Sequence, residues 1–291
     1  MKKLTATIGL LFLALLACSR KNNTLKIAGS DTMVQIGQHL AKAYMQQDPQ
    51  KLISIQGGGS GTGIAALLNG STDIASASRE MKPEELMRAQ QRGITVKEYV
   101  IANDALVIAV HPSNKISKLT IEQLSGIYAG KITNWSALGG DNKPILAISR
   151  DSNSGTHAYF KDEVLRQGKT VNKGEKSTDP LARLEFGKNV TFAVSSQAIS
   201  DQVKVNTAAI GYLGIGWAAE GVKSVTISRD GKAFYAPTLE NTVQGKYPLA
   251  RGLQMYVAVK EDQKAIEFMN FVLSPEGQKI VQEQGFIPVK K

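Results

Sequence analysis

The sequence has little of what covalent cross-links, metal clusters and membrane spans require. Cys18 is the only cysteine among 291 residues, which excludes an internal disulfide, a cysteine-based metal cluster and a CxxC redox pair. The three histidines, His39, His111 and His157, argue against a zinc site. The apolar stretch from Ile8 to Ala17 is too short to cross a bilayer comfortably. No metal and no other cofactor is therefore expected.

Acidic residues are also in deficit, since 35 lysines and arginines face 25 acids and give a formal net charge of +10. In a cytosolic protein this excess would favour nucleic-acid binding. The N-terminus argues against that compartment, because Lys2 and Lys3 precede the apolar stretch in the layout of an export signal. We therefore expect an extracytoplasmic protein with no nucleic-acid partner, whose basic surface meets anionic solutes.

The end of the export signal, from Leu15 to Cys18, resembles the lipobox of bacterial lipoproteins. In that class cleavage precedes the cysteine and lipid, palmitate included, is attached to it. The resemblance implies a signal peptide over 1–17, a lipidated Cys18 that anchors the protein to a membrane, and a tether over 18–24. Ordinary signal cleavage with an incidental thiol is the alternative.

The rest of the chain alternates short strand patterns with helical ones, which predicts an α/β architecture with largely parallel sheets. Helix ends are marked, for example, by Pro83 and Gly93 and by Ser274 and Gly285. The strands are predicted at 25–28, 52–56, 74–76, 99–102, 106–110, 145–149, 209–213, 225–228 and 254–259. The length is consistent with two lobes.

Three strand ends are followed by segments rich in glycine and hydroxyl groups, each ahead of a helical pattern. These segments are 29–32, 58–63 and 152–156. The first amides of a helix lack intrahelical partners and carry partial positive charge, so an anion suits them. Arg150 adds a permanent charge just before the third segment. Each feature alone also fits a simple helix cap or a surface arginine, but their joint occurrence favours anion binding.

Enzyme motifs are not matched. The window 58–62 ends in Thr62 where a GxSxG elbow needs glycine, and the glycine run 57–63 does not fit GxGxxG. The segment 126–132 is one residue short of a nucleotide loop, and Ile132 replaces its hydroxyl. We therefore expect a protein that is not an enzyme.

In their joint order, several segments resemble the phosphate-binding proteins of bacterial phosphate ABC transporters, in their lipoprotein form, from about Leu25 to Val289. The segments are 29–32, 56–61, 73–79, 130–135, 150–156 and 285–288. The resemblance implies a two-lobed periplasmic-binding-protein fold of type II, with two crossover hinge strands and the ligand in the interlobe cleft. We expect lobe 1 to comprise 25–102 plus 224–291 and lobe 2 to comprise 103–223.

The resemblance also implies which residues hold phosphate, carried over position by position. The phosphate-binding residues are expected to be Ser30, Thr32, Ser60 and Ser78 from lobe 1 and Arg150, Ser154, Gly155 and Thr156 from lobe 2. Ser78 stands where many members carry an aspartate that accepts the ligand's proton and so rejects sulfate. Asp31 and Asp104 are the candidate substitutes, and each also fits a cap or turn.

The resemblance implies a monomeric, lipid-anchored receptor that binds inorganic phosphate and delivers it to the permease and ATPase subunits of an ABC importer. Two rivals stay open on the residues. One is a receptor for another tetrahedral oxyanion such as sulfate, and the other is a surface interaction protein that binds anionic polymers. A phosphoester hydrolase is disfavoured because metal ligands and a nucleophile pair are missing.

Overall fold

The structure is a computed structural model that describes residues 24–169, 177–218, 220–258 and 263–289. The predicted signal peptide over 1–17, the lipidation site Cys18 and the tether up to residue 23 lie outside the described residues. Within the described residues, no helix combines the length and the apolar character needed to cross a bilayer.

The described residues form a mixed α/β fold. The strands are β1 Leu25–Gly29, β2 Ile53–Gln56, β3 Ile74–Ala77, β4 Val96–Val110, β5 Lys118–Thr120, β6 Leu146–Arg150, β7 Thr191–Ala193, β8 Ala209–Gly214, β9 Lys223–Ser224, β10 Thr226–Ser228, β11 Ala250–Ala258 and β12 Ile287–Pro288. The helices are α1 Val34–Gln47, α2 Ser60–Leu68, α3 Pro83–Gln91, α4 Ile121–Tyr128, α5 Gly155–Phe160, α6 Ser196–Val205, α7 Leu239–Val243, α8 Gln263–Val272 and α9 Pro275–Glu283. The predicted α/β class is confirmed.

The main sheet has the strand order β2-β1-β3-β11-β4-β8-β6-β7. Strand β1 runs parallel to β2 and β3, and β6 runs parallel to β7 and β8. At the centre, however, β11 is antiparallel to β3 and β4, and β4 is antiparallel to β8. The prediction of largely parallel sheets was therefore too simple, because the two central strands reverse the direction.

Strand β4 joins the two ends of this sheet. The predicted strands at 99–102 and 106–110 are one continuous strand, since Asn103 and Asp104 stay in the ladder opposite Gly252 and Arg251. The first part of β4 pairs with β11, and the part from Leu106 onward pairs with β8. A single strand thus passes from one half of the sheet to the other.

Buried side chains of the described residues form four clusters, and the two largest lie on either side of this crossing. One contains Ile36, Leu40 and Met255, which pack with Phe268 of α8. The other contains aromatic residues such as Phe160 of α5, whose ring stacks on that of Tyr212 with centroids 3.9 Å apart. Two cores joined by extended strands are the architecture of a two-lobed fold.

The packing of residues 225–249 bears on where the chain returns from lobe 2 to lobe 1. Val225, Ile227, Tyr247 and Leu249 all pack in the core of Phe160 and Tyr212, whereas Leu253 packs in the other core. We therefore propose that lobe 1 comprises 25–103 plus 250–289 and that lobe 2 comprises 104–249. The expected return at residue 223 assigned 224–249 to lobe 1, because a strand pattern at 225–228 carries no information about which core it joins.

Candidate functional site

The three glycine- and hydroxyl-rich segments all precede helices, as predicted. Segment 29–32 follows β1 and leads through a 3-10 turn, Asp31–Met33, into α1. Segment 58–63 follows β2 and contains the start of α2, and segment 152–156 follows β6 and contains the start of α5. The first two segments belong to lobe 1 and the third to lobe 2, so an anion between them would meet helix starts from both lobes.

The segments of the two lobes touch directly. The hydroxyl oxygens of Thr32 and Thr156 lie 2.9 Å apart, although the two residues are 124 positions apart in the chain. The amide of Gly61 donates to the carbonyl of Asn153 at 3.0 Å. Both threonines are buried, at 1% exposure. The cleft is therefore closed at these helix starts, with the predicted ligand groups of both lobes in contact.

Two glycines permit this close approach. Gly59 precedes α2 with a φ of +96°, a conformation that side chains disfavour, and a Cβ there would lie 2.5 Å from the carbonyl oxygen of Asn153. A Cβ on Gly155 would lie 2.3 Å from the Ser60 hydroxyl oxygen and 2.7 Å from that of Ser78. Any side chain at either position would hold the two lobes apart.

The serines of lobe 1 form a small hydroxyl cluster opposite Gly155. The amide of Ser78 donates to the Ser60 Oγ at 3.1 Å, and the two Oγ atoms lie 3.4 Å apart. Both residues are fully buried. Ser30 follows the end of β1, and its amide donates to the carbonyl of Ser76, two residues before Ser78, at 2.9 Å. Predicted residues from three different strand ends are thus brought together.

In lobe 2, Ser154 is the N-cap of α5. Its Oγ accepts from the amide of His157 at 3.3 Å, so its hydroxyl hydrogen is not used by the cap. The His157 Nδ1 lies 2.8 Å from the carbonyl of Arg150, and therefore it carries the hydrogen. Burial lowers the pKa of His157, and the charge of Lys161 adds to this effect, while the bond to the Arg150 carbonyl opposes it. At neutral pH the imidazole is uncharged and ties α5 to the end of β6.

Arg150 is the buried cation of this site, with a side chain that is only 1% exposed. Its guanidinium donates to the carbonyls of Ala193 and Val194 and to the hydroxyl of Ser196, which fix it within lobe 2. Across the cleft, its Nη2 lies 2.6 Å from Oδ2 of Asp31. Arg150 is therefore held by neutral groups of its own lobe and neutralised by a carboxylate of the other lobe.

Asp31 differs strongly from the second candidate acceptor, Asp104. The Asp31 side chain is 17% exposed, and its Oδ1 accepts from the amide of Gly58 at 3.2 Å. Asp104 is completely buried at the crossing of β4 and β11, where one oxygen accepts from the amide of Ile215 and the other from Arg251. Both carboxylates have protein partners, but Asp104 is completely enclosed and Asp31 is 17% exposed, so Asp31 is the better placed of the two for a ligand.

Arg251 is the site neighbour that sequence reasoning missed. Its Nε and Nη2 donate to Asp104 Oδ2 at 3.0 and 2.8 Å. Burial raises the pKa of Asp104, while the Arg251 charge and the Ile215 amide oppose the rise. A lone arginine in the apolar strand pattern of β11 was the available signal. An arginine buried in such a strand requires an acidic or polar partner, which would have pointed to a buried ion pair.

Comparisons with known proteins agree with this geometry. A family model described as the PBP superfamily domain matches residues 18–276, and the two joined lobes have the architecture of periplasmic binding proteins. The chain is 32% identical over 286 residues to the phosphate-binding protein PstS of Pseudomonas aeruginosa, which covers 92% of this chain and 84% of the relative. It is 31% identical to PstS of Borreliella burgdorferi over 295 residues, with 100% of both chains covered.

A solved structure from Clostridium perfringens, described as a phosphate ABC transporter substrate-binding protein with bound phosphate, aligns with a TM-score of 0.78 and 32% identity. The alignment covers 92% of this chain and 100% of that one. The chain therefore belongs to the PstS family of phosphate-binding proteins, within the PBP superfamily. This family consists of solute receptors rather than enzymes.

Proposed function

We propose that this protein is an extracytoplasmic receptor that binds inorganic phosphate in the interlobe cleft. The observation that carries the proposal is the meeting of helix starts from both lobes at the Thr32–Thr156 contact, while the buried Arg150 guanidinium contacts Asp31, the residue before Thr32. A planar guanidinium matches tetrahedral oxyanions, and amides and hydroxyls supply the remaining donors without adding charge. The likeness to phosphate-binding relatives supports the same ligand.

The two lobes supply overlapping sets of contacts to the anion. Both lobes contribute hydroxyl donors, and lobe 2 adds the charge of Arg150 and the close backbone approach that Gly155 permits. The complete set of proposed phosphate-binding residues is Ser30, Thr32, Ser60, Ser78, Arg150, Ser154, Gly155 and Thr156. The proximity of these groups around the Thr32–Thr156 contact supports the assignment.

Phosphate binding would replace direct contacts between the lobes with contacts through the ligand. Thr32 and Thr156 now bond to each other, and Asp31 now bonds to Arg150. A phosphate between the threonines accepts from both hydroxyls, so the same ligand binds both lobes. Ligand binding and closure of the cleft are coupled for this reason.

Selectivity for phosphate over sulfate is assigned to Asp31. Serine at position 78 can accept a hydrogen bond but does not repel a fully ionised ligand. Asp31 lies against Nη2 of Arg150, the cation proposed to contact the anion, and its side chain is 17% exposed, whereas Asp104 is completely buried. A carboxylate in this position accepts the proton of hydrogen phosphate and disfavours sulfate, which has none to offer.

The receptor is proposed to work as a lipid-anchored monomer. Cys18 would carry the lipid, and the protein would deliver phosphate to the permease and ATPase subunits of an ABC importer. The lipobox-like segment from Leu15 to Cys18 and the similarity to a transporter substrate-binding protein support this role.

Calorimetric titration tests the proposal. The purified protein is unfolded, stripped of bound ions, refolded and titrated with phosphate, alone and in about a hundredfold excess of sulfate over phosphate. Tight phosphate binding that sulfate does not disturb is the expected result. Displacement by sulfate would instead indicate a receptor for tetrahedral oxyanions in general. No binding of either ion would contradict the receptor and favour a surface interaction protein.

A further inference from the structure

The two strands that join the lobes are linked to each other by a buried ion pair. Arg251 of β11 stands directly opposite Asp104 of β4 in the antiparallel ladder, and their side chains are 3% and 0% exposed. The Asp104 carboxylate accepts twice from the guanidinium through Oδ2 and once from the amide of Ile215 through Oδ1. The pair is therefore fixed in place by backbone register as well as by charge.

The remaining edge of the same guanidinium reaches one ligand segment in each lobe. Its Nη1 donates to the carbonyl of Ser78, at the end of β3, at 3.1 Å. Its Nη2 donates to the hydroxyl oxygen of Thr156, at the start of α5, also at 3.1 Å. The ring of Tyr159, one turn further along α5, lies 5.4 Å from the guanidinium carbon. One rigid group thus contacts both lobes and the hinge between them.

The contact with Thr156 also fixes the direction of a hydroxyl hydrogen. A guanidinium has donors only, so the Thr156 oxygen accepts from Arg251. The hydrogen of Thr156 is then directed away from Arg251, toward Thr32 and the anion site, where the two threonine oxygens lie 2.9 Å apart. A hydroxyl held as a donor is what an anion requires, and it costs no reorganisation when the ligand arrives.

We propose that Arg251 is a positioning residue for anion binding, which acts through Thr156 and Ser78 without touching the ligand. This inference rests on the proposed phosphate site. Lysine at this position retains the charge beside Asp104 but lacks the planar fork that reaches Ser78 and Thr156 at the same time. Arg251→Lys should therefore weaken phosphate binding while the ion pair is retained.

A double-mutant cycle tests the proposal on the purified protein, with phosphate as the probe. Arg251→Lys is measured alone and together with Thr156→Val, which removes the hydroxyl. We expect Arg251→Lys to raise the Kd for phosphate about 10- to 100-fold, mainly through faster dissociation. In the Thr156→Val background the same change should raise the Kd by about threefold or less, because the Thr156 contact is already missing and only the contact with the Ser78 carbonyl remains to be lost.

The matched control is Arg166→Lys. Arg166 also joins a carbonyl, that of Leu184, to a carboxylate, that of Glu185, but it does so within lobe 2 and away from the cleft. It should leave the phosphate Kd unchanged. If Arg251→Lys does not fold, Asp104→Asn combined with Arg251→Met removes both charges together and should show the same loss of affinity.

The outcomes separate this inference from the proposed function. If the parent protein binds phosphate and Arg251→Lys binds it equally well, the positioning role is wrong and the phosphate site stands. An equal loss with and without the Thr156 hydroxyl would also overturn it, since that result indicates a structural effect alone. If the parent protein does not bind phosphate, the proposed function itself is wrong.

Discussion

Two arginine–aspartate pairs connect the lobes, and they are built differently. The Arg150–Asp31 pair spans the mouth of the ligand cleft, and its aspartate retains 17% of its exposure. The Arg251–Asp104 pair lies between the crossing strands, and its aspartate is completely enclosed. Arg150 donates once to its carboxylate and has three neutral partners, whereas Arg251 donates twice to its carboxylate and has two neutral partners, the Ser78 carbonyl and the Thr156 hydroxyl.

The difference shows which ion pair can exchange a partner for a ligand and which cannot. An ion pair whose acid can reach solvent can give up one partner to a ligand, because water or the ligand replaces it at modest cost. A fully enclosed pair cannot, since either partner alone would be an uncompensated buried charge. We therefore assign ligand binding to the first pair and hinge geometry to the second.

The largest effect is expected from removing the enclosed acid. Asp104→Ala leaves Arg251 and the Ile215 amide without their partner and should lower the free energy of unfolding by about 3 to 5 kcal/mol. Asp31→Ala should cost about 1 to 2 kcal/mol, because Arg150 retains its neutral partners and water can reach the position. Denaturant unfolding of both ligand-free variants measures the contrast. Equal losses would mean that the two pairs do not differ as described.

The next largest effect is expected on phosphate binding when Arg150 is removed. Arg150→Ala should weaken phosphate binding by about 2 to 5 kcal/mol, because the ligand loses its only proposed cationic contact in a dehydrated site. Calorimetric titration measures this loss. Arg166→Ala serves as the control, since Arg166 forms an ion pair with Glu185 inside lobe 2. Near-normal affinity of the Arg150 variant would contradict the site assignment.

The two pairs also show which features of the site could be predicted from the sequence and which could not. The helix starts at 29–32, 58–63 and 152–156 were predictable because glycine, serine and threonine after a strand are local signals. Arg150 could be singled out because it stands directly before the third of these segments. The partners were not, since Asp31 lies 119 positions from Arg150 and Asp104 lies 147 from Arg251.

Those long-range pairings depend on strand register and on which core a segment joins. Arg251 meets Asp104 because β4 and β11 are antiparallel neighbours, and a strand pattern does not specify its neighbour. For the same reason the pattern at 225–228 does not specify its lobe, and its buried residues Val225 and Ile227 pack in the cluster of Phe160 and Tyr212. Sequence periodicity predicts the elements, and tertiary packing decides their partners.

A smaller effect is expected on the selectivity for phosphate over sulfate when the charge of Asp31 is removed. Asp31→Asn retains the size of the side chain but removes its charge beside Arg150. Sulfate is then no longer repelled, while phosphate loses an acceptor for its proton, so the ratio of the two affinities should fall about tenfold. Competition titration with both ions gives this ratio. The matched variant Asp104→Asn should leave the ratio unchanged if the hinge acid does not face the ligand.

The smallest expected effect concerns pH and the helix that follows Arg150. Burial lowers the pKa of His157 in the folded protein, helped by the charge of Lys161 and opposed by the Arg150 carbonyl, Asp151 and Glu185. The unfolded state therefore binds a proton first as the pH falls. The contribution of neutral His157 to stability should be complete above about pH 6.5, the ordinary value for histidine, and should be lost as the pH falls through the lowered pKa.

Unfolding free energies measured between about pH 5 and pH 7.5, on either side of the ordinary histidine pKa, test this prediction. The comparison variant is His157→Asn, which retains a donor for the Arg150 carbonyl but does not titrate in this range. The parent protein should lose more stability on acidification than the variant does, by less than either ion-pair substitution costs. Parallel pH profiles would mean that the imidazole is not held neutral. In that case the position of the Arg150 carbonyl, and of the Arg150–Asp31 pair beside it, would not depend on the protonation of His157.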